Sequence, residues 1–335
     1  MDKIEVTKLT ASEIGVLWTT YMNDSLSICA LKYFRQNAKD SDIIPILEHA
    51  LSISQKHIQS IAQIFNKEGI PIPMGFTDAD IDLEAPQLYS DVFSLRFLRH
   101  LGKVGMVGYA IAMDIAVRSD VRKFVYDCCQ SSIDLNEEVV TTHLEKGLYI
   151  RPPYIPIPTK VEFVKSPSFF GSIIGKNRPL NAVELSHIFA NIQTNAMGRV
   201  MLLGLAQTAQ DPEVREYLMR GADISKKHID ALSTLFKQDD LSVPATWDSE
   251  ITGSTVAPFS DKMAMQLTTI LIVAGMTNYG TGLGSSTRVD VATDYGRIMM
   301  ETAEFGEDGV QIMIKNGWLE QPPQAADRKE LALSR

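Results

Sequence analysis

The sequence predicts an all-α fold built as two tandem four-helix bundles. Three observations carry that prediction: an internal repeat of domain length, apolar residues at helical spacing in both copies, and short–long–short connections within each copy. The repeat is plainest around two histidines. His57 and His228 sit in matching phrases, Ile53-Ser-Gln-Lys-His-Ile58 and Ile224-Ser-Lys-Lys-His-Ile229, at an offset of 171. The same offset pairs Leu9-Thr-Ala-Ser-Glu13 with Leu180-Asn-Ala-Val-Glu184. Further on the offset becomes 170 and pairs Asp91 with Asp261, Tyr109 with Tyr279, Asp120 with Asp290 and Pro152 with Pro322. A unit of that length is a domain, too long for a solenoid repeat.

Each copy opens on a capping box, Thr10 with Glu13 and Asn181 with Glu184, in which side chains and free backbone N–H groups satisfy one another reciprocally. The first helix follows with Ile14, Leu17, Tyr21, Ile28 and Leu31 on one stripe, matched by Leu185, Ile188, Ile192 and Leu202. It breaks at residues 37–42, and in the second copy at 209–212, where Pro212 suits a first helical turn. The second helix carries Ile43, Leu47, Ala50, Ile61 and Ile64 and stops near Gly69. Residues 69–90 lack helical period and contain Pro71, Pro73, Gly75 and Pro86. A third helix from about Gln87 to Val117 and a fourth ending at Lys146-Gly147 complete the copy, with Asp120 and Asp290 expected as N-caps and Gly147 and Gly317 as C-terminal stops.

Loop lengths set the topology. A helix of about 27 residues is about 40 Å long, and the first and third connections are short enough to make only antiparallel hairpins. The middle connection, extended, could reach about 60 Å, the length of the bundle. One long crossover between the second and third helices is the ferritin-like arrangement. The expected layout is therefore a ferritin-like bundle over 1–150, a Pro- and aromatic-rich strap packed on the domains over 151–179, a second ferritin-like bundle over 180–323 and a frayed polar tail over 324–335.

Bulk properties narrow the function classes. The net charge of −9 with no basic stripe argues against nucleic acid as a partner. Cys29, Cys128 and Cys129 have no counterparts in the second copy, so a shared disulfide framework is excluded; reduced buried thiols are expected, with a redox role for vicinal Cys128-Cys129 as the alternative. The polar segment Met1–Thr7 lacks the apolar stretch of a signal peptide, and a cytoplasmic protein that is not secreted is expected. Residues 263–287 hold no charge, but the matching helix carries Arg96, Arg99, Lys103 and Asp114, so burial by protein is expected here and no membrane span.

Candidate chemistry centres on helix two. Di-metal carboxylate bundles use Glu-x-x-His on two helices, because residues three apart share a helix face. Here the motif occurs once, Glu184-Leu-Ser-His187, where Glu184 also closes a capping box, and its partner Glu13 is followed by Val16. A di-iron oxidase is disfavoured. The repeated pairs Ser54/His57 and Ser225/His228, by contrast, interrupt both apolar stripes at one place. Partners at that level are Asp24 or Asn195 on helix one, Tyr109 or Tyr279 on helix three, and on helix four Asp134 and Glu138, or Glu301, Glu304 and Asp308. The preferred reading is a buried polar network that fixes helix register and needs no cofactor, since leaving a buried polar group unpaired costs about 1–3 kcal/mol. The alternative is a site for iron, manganese or zinc on His57, Asp24 and Glu138, or on His228, Glu301 and Asp308. Acid–base catalysis ranks last, for want of a nucleophile or oxyanion feature. Glycines of helix three (Gly102, Gly105 and Gly108; Gly275, Gly280, Gly282 and Gly284) are read as close helix packing, with a small pocket beside Tyr109 or Tyr279 as the alternative. His49, His100 and His143 lack partners in the repeat and are expected at the surface or rim.

Three phrases, Arg178-Pro-Leu-Asn-Ala-Val-Glu-Leu-Ser-His-Ile-Phe189, Asp211-Pro-Glu-Val-Arg-Glu-Tyr-Leu-Met-Arg-Gly221 and Asn316-Gly-Trp-Leu-Glu-Gln-Pro-Pro323, together with the strap residues 160–165, resemble a family of uncharacterised tandem proteins from spore-forming bacteria. Its domains are similar to ferritin-like bundles, and some relatives carry a spore coat label. The resemblance implies a structural or interaction protein linked to sporulation, with spore or coat proteins or a second copy of itself as partners. It implies no catalytic residues.

Overall fold

The computed structural model describes residues 7–333 apart from 174 and 176; the polar segment 1–6 lies outside the described residues. The first bundle consists of α1 (Ala11–Asn37), α2 (Ile44–Glu68), α3 (Asp91–Ile115) and α4 (Ser119–Glu145), and the second of α5 (Ala182–Thr208), α6 (Pro212–Gln238), α7 (Asp261–Ser285) and α8 (Val289–Lys315). A short exposed helix, α9 (Arg328–Leu333), lies within the segment expected to be frayed. Each bundle has its long crossover between its second and third helices, as the loop lengths predict.

Both capping boxes are present, and each glutamate does more than cap its own helix. Glu13 Oε1 also accepts the backbone N–H of Val117 (3.1 Å) and Arg118 (2.7 Å), and Glu184 Oε1 accepts those of Thr287 (3.1 Å) and Arg288 (3.0 Å). One carboxylate therefore ties the starts of the first and fourth helices together. This corrects the expected N-caps. Arg118 and Arg288 occupy those positions, and Asp120 and Asp290 lie two residues inside the helix, each holding the cap arginine at 2.7 Å. The helices start earlier than foreseen because the free N–H groups find a glutamate from another helix. Gly147 and Gly317 do stop their helices, at φ +67° and +68°, where a Cβ would be strained.

The two crossovers pair with each other, a contact the repeat alone did not foretell. Antiparallel bridges join Ile81 to Phe259 and Tyr89 to Ile251, positions exchanged by the repeat. Asp82 N–H donates to Pro258 O (2.9 Å) and Ser260 N–H to Asp80 O (2.8 Å); the dyad-related bonds are Thr252 N–H to Leu88 O (2.8 Å) and Ser90 N–H to Glu250 O (2.9 Å). Ser90 and Ser260, the caps of α3 and α7, also donate through their hydroxyls to Glu250 and Asp80. Rings cross the same seam. Tyr33 meets Phe259 edge-on at 5.1 Å, and Tyr89 donates to Met201 O at 2.7 Å.

One apolar core accordingly runs from the crossover end of the first bundle through the seam into the second bundle. A smaller cluster around Leu17, Ile61, Phe65, Val121 and Val125 fills the far end of the first bundle. Between those clusters lies the polar layer of His57. Two expectations fail at the periphery. Much of the strap is not packed on the domains: Tyr154, Ile157, Val161 and Phe163 are 82–88% exposed, whereas at its end Arg178 lies over the Phe169 ring at 4.0 Å and reaches Glu184 at 2.8 Å. His143 is not at the rim but fully buried on α4, with Nδ1 2.8 Å from Val139 O, and burial lowers its pKa to about 4.

Candidate functional site

In the first bundle, α1, α2, α3 and α4 bring Asp24, Ser54, His57, Tyr109 and Ser131 to one level. Asp24, 7% exposed, accepts Ser54 Oγ–H at Oδ1 (2.8 Å) and His57 Nδ1–H at Oδ2 (3.0 Å). The Tyr109 hydroxyl stands 3.5 Å from the same ring nitrogen, and Ser131 Oγ lies 3.4 Å from Nε2 on the opposite side. Burial beside Asp24 pushes the Tyr109 hydroxyl well above its usual pKa, so it acts as a neutral donor.

The second bundle repeats the layer with its charge moved. His228, 1% exposed, has Nδ1 at 3.3 Å from the Tyr279 hydroxyl, which donates to Asn195 Oδ1 at 2.9 Å, and Nε2 at 3.2 Å from Glu301 Oε2. Asn195 replaces Asp24 and Glu301 replaces Ser131. The carboxylate has thus changed from the Nδ1 side of the ring to the Nε2 side, and from the first helix to the fourth. Burial lowers the His228 pKa, and the hydrogen bond it donates to Glu301 offsets part of that effect. Burial alone would raise the Glu301 pKa, but Lys227 (2.7 Å) and His228 outweigh it and hold it below the ordinary value. Ser225 lines a small cavity here with His228 and Tyr279.

Two carboxylates suggested as ligands lie elsewhere. Glu138 pairs with His49 at 2.9 Å on the surface, and Asp308 pairs with Arg220 at 2.7 Å, both half exposed. Each falls two helical turns from the polar layer, because seven residues on α4 advance about 10 Å along the axis. Each histidine is left with one carboxylate, and no three of His, Cys, Asp and Glu converge as a metal-ligand set among the described residues. Glu184 of Glu184-x-x-His187 is spent on backbone N–H groups and on Arg178 at 2.8 Å. The order Asp24–His57–Ser131 has the connectivity of a hydrolytic triad, but Ser131 Oγ donates to Cys128 O (3.0 Å) in the middle of α4. Backbone N–H groups there serve the helix, so none is free to stabilise an oxyanion.

The halves differ most in empty space. A cavity of about 470 Å³ opens between α1 and α3 beside Tyr109, with Asp24, Ser54 and His57 in its wall. A Cβ at Gly15 or Gly108 would meet nothing within 4 Å. Beside Tyr279 the equivalent space is about 50 Å³. Comparing the copies explains this: Ile272 stands where the first copy has Gly102, Phe305 where it has Leu135, and Asn278 where it has Gly108. Asn278 also donates to Thr194 at 3.3 Å, drawing α7 onto α5. Close packing accounts for Gly102, where a Cβ would lie 3.3 Å from Asn136, but not for Gly108. Those three replacements were the readable signal for the cavity.

A family model described as a protein of unknown function, DUF3231, matches residues 3–161 and again 168–331. The chain belongs to the DUF3231 family. No curated protein matches this DUF3231 chain. Among solved structures it is similar to a "putative spore coat protein" from Bacillus halodurans C-125, at 18% identity and a TM-score of 0.41, over 45% of this chain and 98% of that one. Among the described residues, no helix of the DUF3231 protein is long and apolar enough to cross a membrane.

Proposed function

We propose that this DUF3231 protein is a non-catalytic binding protein whose first bundle holds a small, mainly apolar molecule while its second bundle serves as a filled, stiff counterpart. The cavity of about 470 Å³ carries this reading, because it lies within the ~300–1,000 Å³ of small-molecule sites and combines apolar walls with a few convergent polar groups. Asp24 accepts two hydrogen bonds and has lone pairs to spare, so it would orient a ligand with one N–H or O–H donor. Indole and 1-naphthol are suitable probes. Saturable binding to the wild type that disappears in Gly15→Leu, which fills the cavity from α1, supports the reading; binding indifferent to that substitution, or none, removes it.

A second reading rests on the strap. Tyr154, Ile157, Val161 and Phe163 stand almost fully exposed there, as in a segment that gains a partner. In that reading the chain is a structural or interaction protein of the spore, taking up a coat protein or a second copy of itself through the strap. Deleting residues 154–164 should release the protein from purified spore coats without lowering its melting temperature. Retention of the deleted form on the coats would count against it. A metal-binding role would require Asp24–His57 or His228–Glu301 to recruit further ligands, and elemental analysis of protein purified without chelator tests it.

A further inference from the structure

The two bundles leave a second cavity where α3 faces α7 across the pseudo-dyad, about 340 Å³ in volume and separate in character from the polar layer. The repeat makes its walls comparable. His100 and Lys103 on α3 correspond to Ile270 and Val273 on α7, so the two nitrogen bases of one wall are replaced in the other by aliphatic side chains, set among Gln266, Thr269, Thr277 and Asn278. No Asp or Glu lines the cleft. The half-buried Lys103 ammonium makes no ion pair or hydrogen bond among the described residues, and His100 Nε2 is buried without a partner. Burial, and then Arg99 nearby, lower the Lys103 pKa; burial lowers that of His100 to about 4, which leaves a neutral ring with an N–H to donate. Such groups are costly to bury unpaired. Around them Val107, Ile111 and Val273 remain 42–60% exposed.

We propose that this cleft binds a free medium-chain fatty acid, its carboxylate on Lys103 and His100 and its chain along Val107, Ile111, Ile270 and Val273. Charge and shape favour that occupant. One ammonium balances one negative charge, the neutral imidazole donates to the second carboxylate oxygen, and the exposed Val107, Ile111 and Val273 side chains would be covered by a chain that an inorganic anion lacks. A phosphate dianion would be undercompensated by a single ammonium. The site goes beyond the first-bundle cavity, with which it shares only the wall formed by Thr19, Asn23, Val104 and Gly108.

Calorimetric titration of the full chain with sodium laurate, kept below its micellar concentration, tests the proposal. One laurate per chain should bind, Lys103→Met should weaken it at least about tenfold, as loss of a charged hydrogen bond does, and Lys103→Arg should restore it. Dodecan-1-ol should bind alike to wild type and Lys103→Met. Ala274→Trp, which narrows the cleft from α7 and leaves Lys103 intact, should abolish laurate binding; Gly15→Leu, confined to the first-bundle cavity, should not alter it. Melting curves confirm that each variant is folded. The proposal is overturned by absent or non-saturable laurate binding, by a Lys103→Met affinity equal to wild type, by laurate loss in Gly15→Leu, or by inorganic phosphate binding at Lys103 as tightly as laurate.

Discussion

Replacing Glu184 by Gln tests what one buried carboxylate does for the second bundle. Glutamine keeps one acceptor oxygen, but its NH2 replaces the other, so either the Asn181 N–H or the N–H groups of Thr287 and Arg288 lose their acceptor along with the charge. Burial by itself would raise the Glu184 pKa, but Arg178, the Asn181 N–H and Thr287 outweigh it and bring it from 4.5 to about 2. A displacement of that size corresponds to about 3 kcal/mol. Its sign follows from linkage: the folded pKa lies below the unfolded one, so the stabilisation is complete above about pH 4.5 and vanishes as pH falls through about 2. Urea unfolding followed by circular dichroism should therefore show Glu184→Gln less stable than wild type by about 3 kcal/mol at pH 7. The gap should fall to less than half by pH 3, where the unfolded carboxylate is already protonated. Equal stability at pH 7, or a gap independent of pH between 7 and 3, would refute the assignment of Glu184 as an ionised tie between α5 and α8.

Other outcomes follow from the same geometry. Gly204→Ala would bring a Cβ within 2.5 Å of the Tyr89 ring at the seam, and overpacking of this kind should lower stability by about 1–3 kcal/mol; an unchanged urea midpoint would contradict the packing described there. A double-mutant cycle on His228→Leu and Glu301→Gln should give a coupling above about 0.5 kcal/mol, whereas His57→Leu with Glu138→Gln should be additive, because Glu138 pairs with His49. Burial raises the pKa of Cys29 to about 11 and that of Cys128 further still, so a thiol reagent at pH 8 should leave both unreacted in the native protein and label Cys129 first. Rapid labelling of Cys128 would revive a redox role for the vicinal pair.

Local signals made much of the fold legible. Capping boxes at Thr10 and Asn181, a proline at position 212 and glycines at 147 and 317 each act within a few residues, and their meaning survives in isolation. Pairing between residues 80–90 and 250–260 was not legible, because nothing in either segment alone says that its backbone groups will be met by its own repeat. The N-caps went wrong for a related reason: the N–H groups at 117–118 and 287–288 are satisfied from more than a hundred residues away. At the site, an inward histidine with one carboxylate follows from the interrupted stripe. The side of the ring on which that carboxylate sits does not, since it depends on how α1 and α4 are rotated. The cavity was half visible. Gly108 looked like a contact point until set against Asn278, where the other copy supplies the side chain that the first lacks.

The exchange of backbone hydrogen bonds between the crossovers has a consequence for how such a chain can change. When two identical subunits meet on a dyad, every substitution appears twice, and a hole or a charge gained on one side is necessarily gained on the other. Here both sides of the contact are encoded separately but held by one polypeptide. A glycine can hollow out one lobe while its sibling stays solid, and a lysine can face a valine where a symmetric pair would set two like charges against each other.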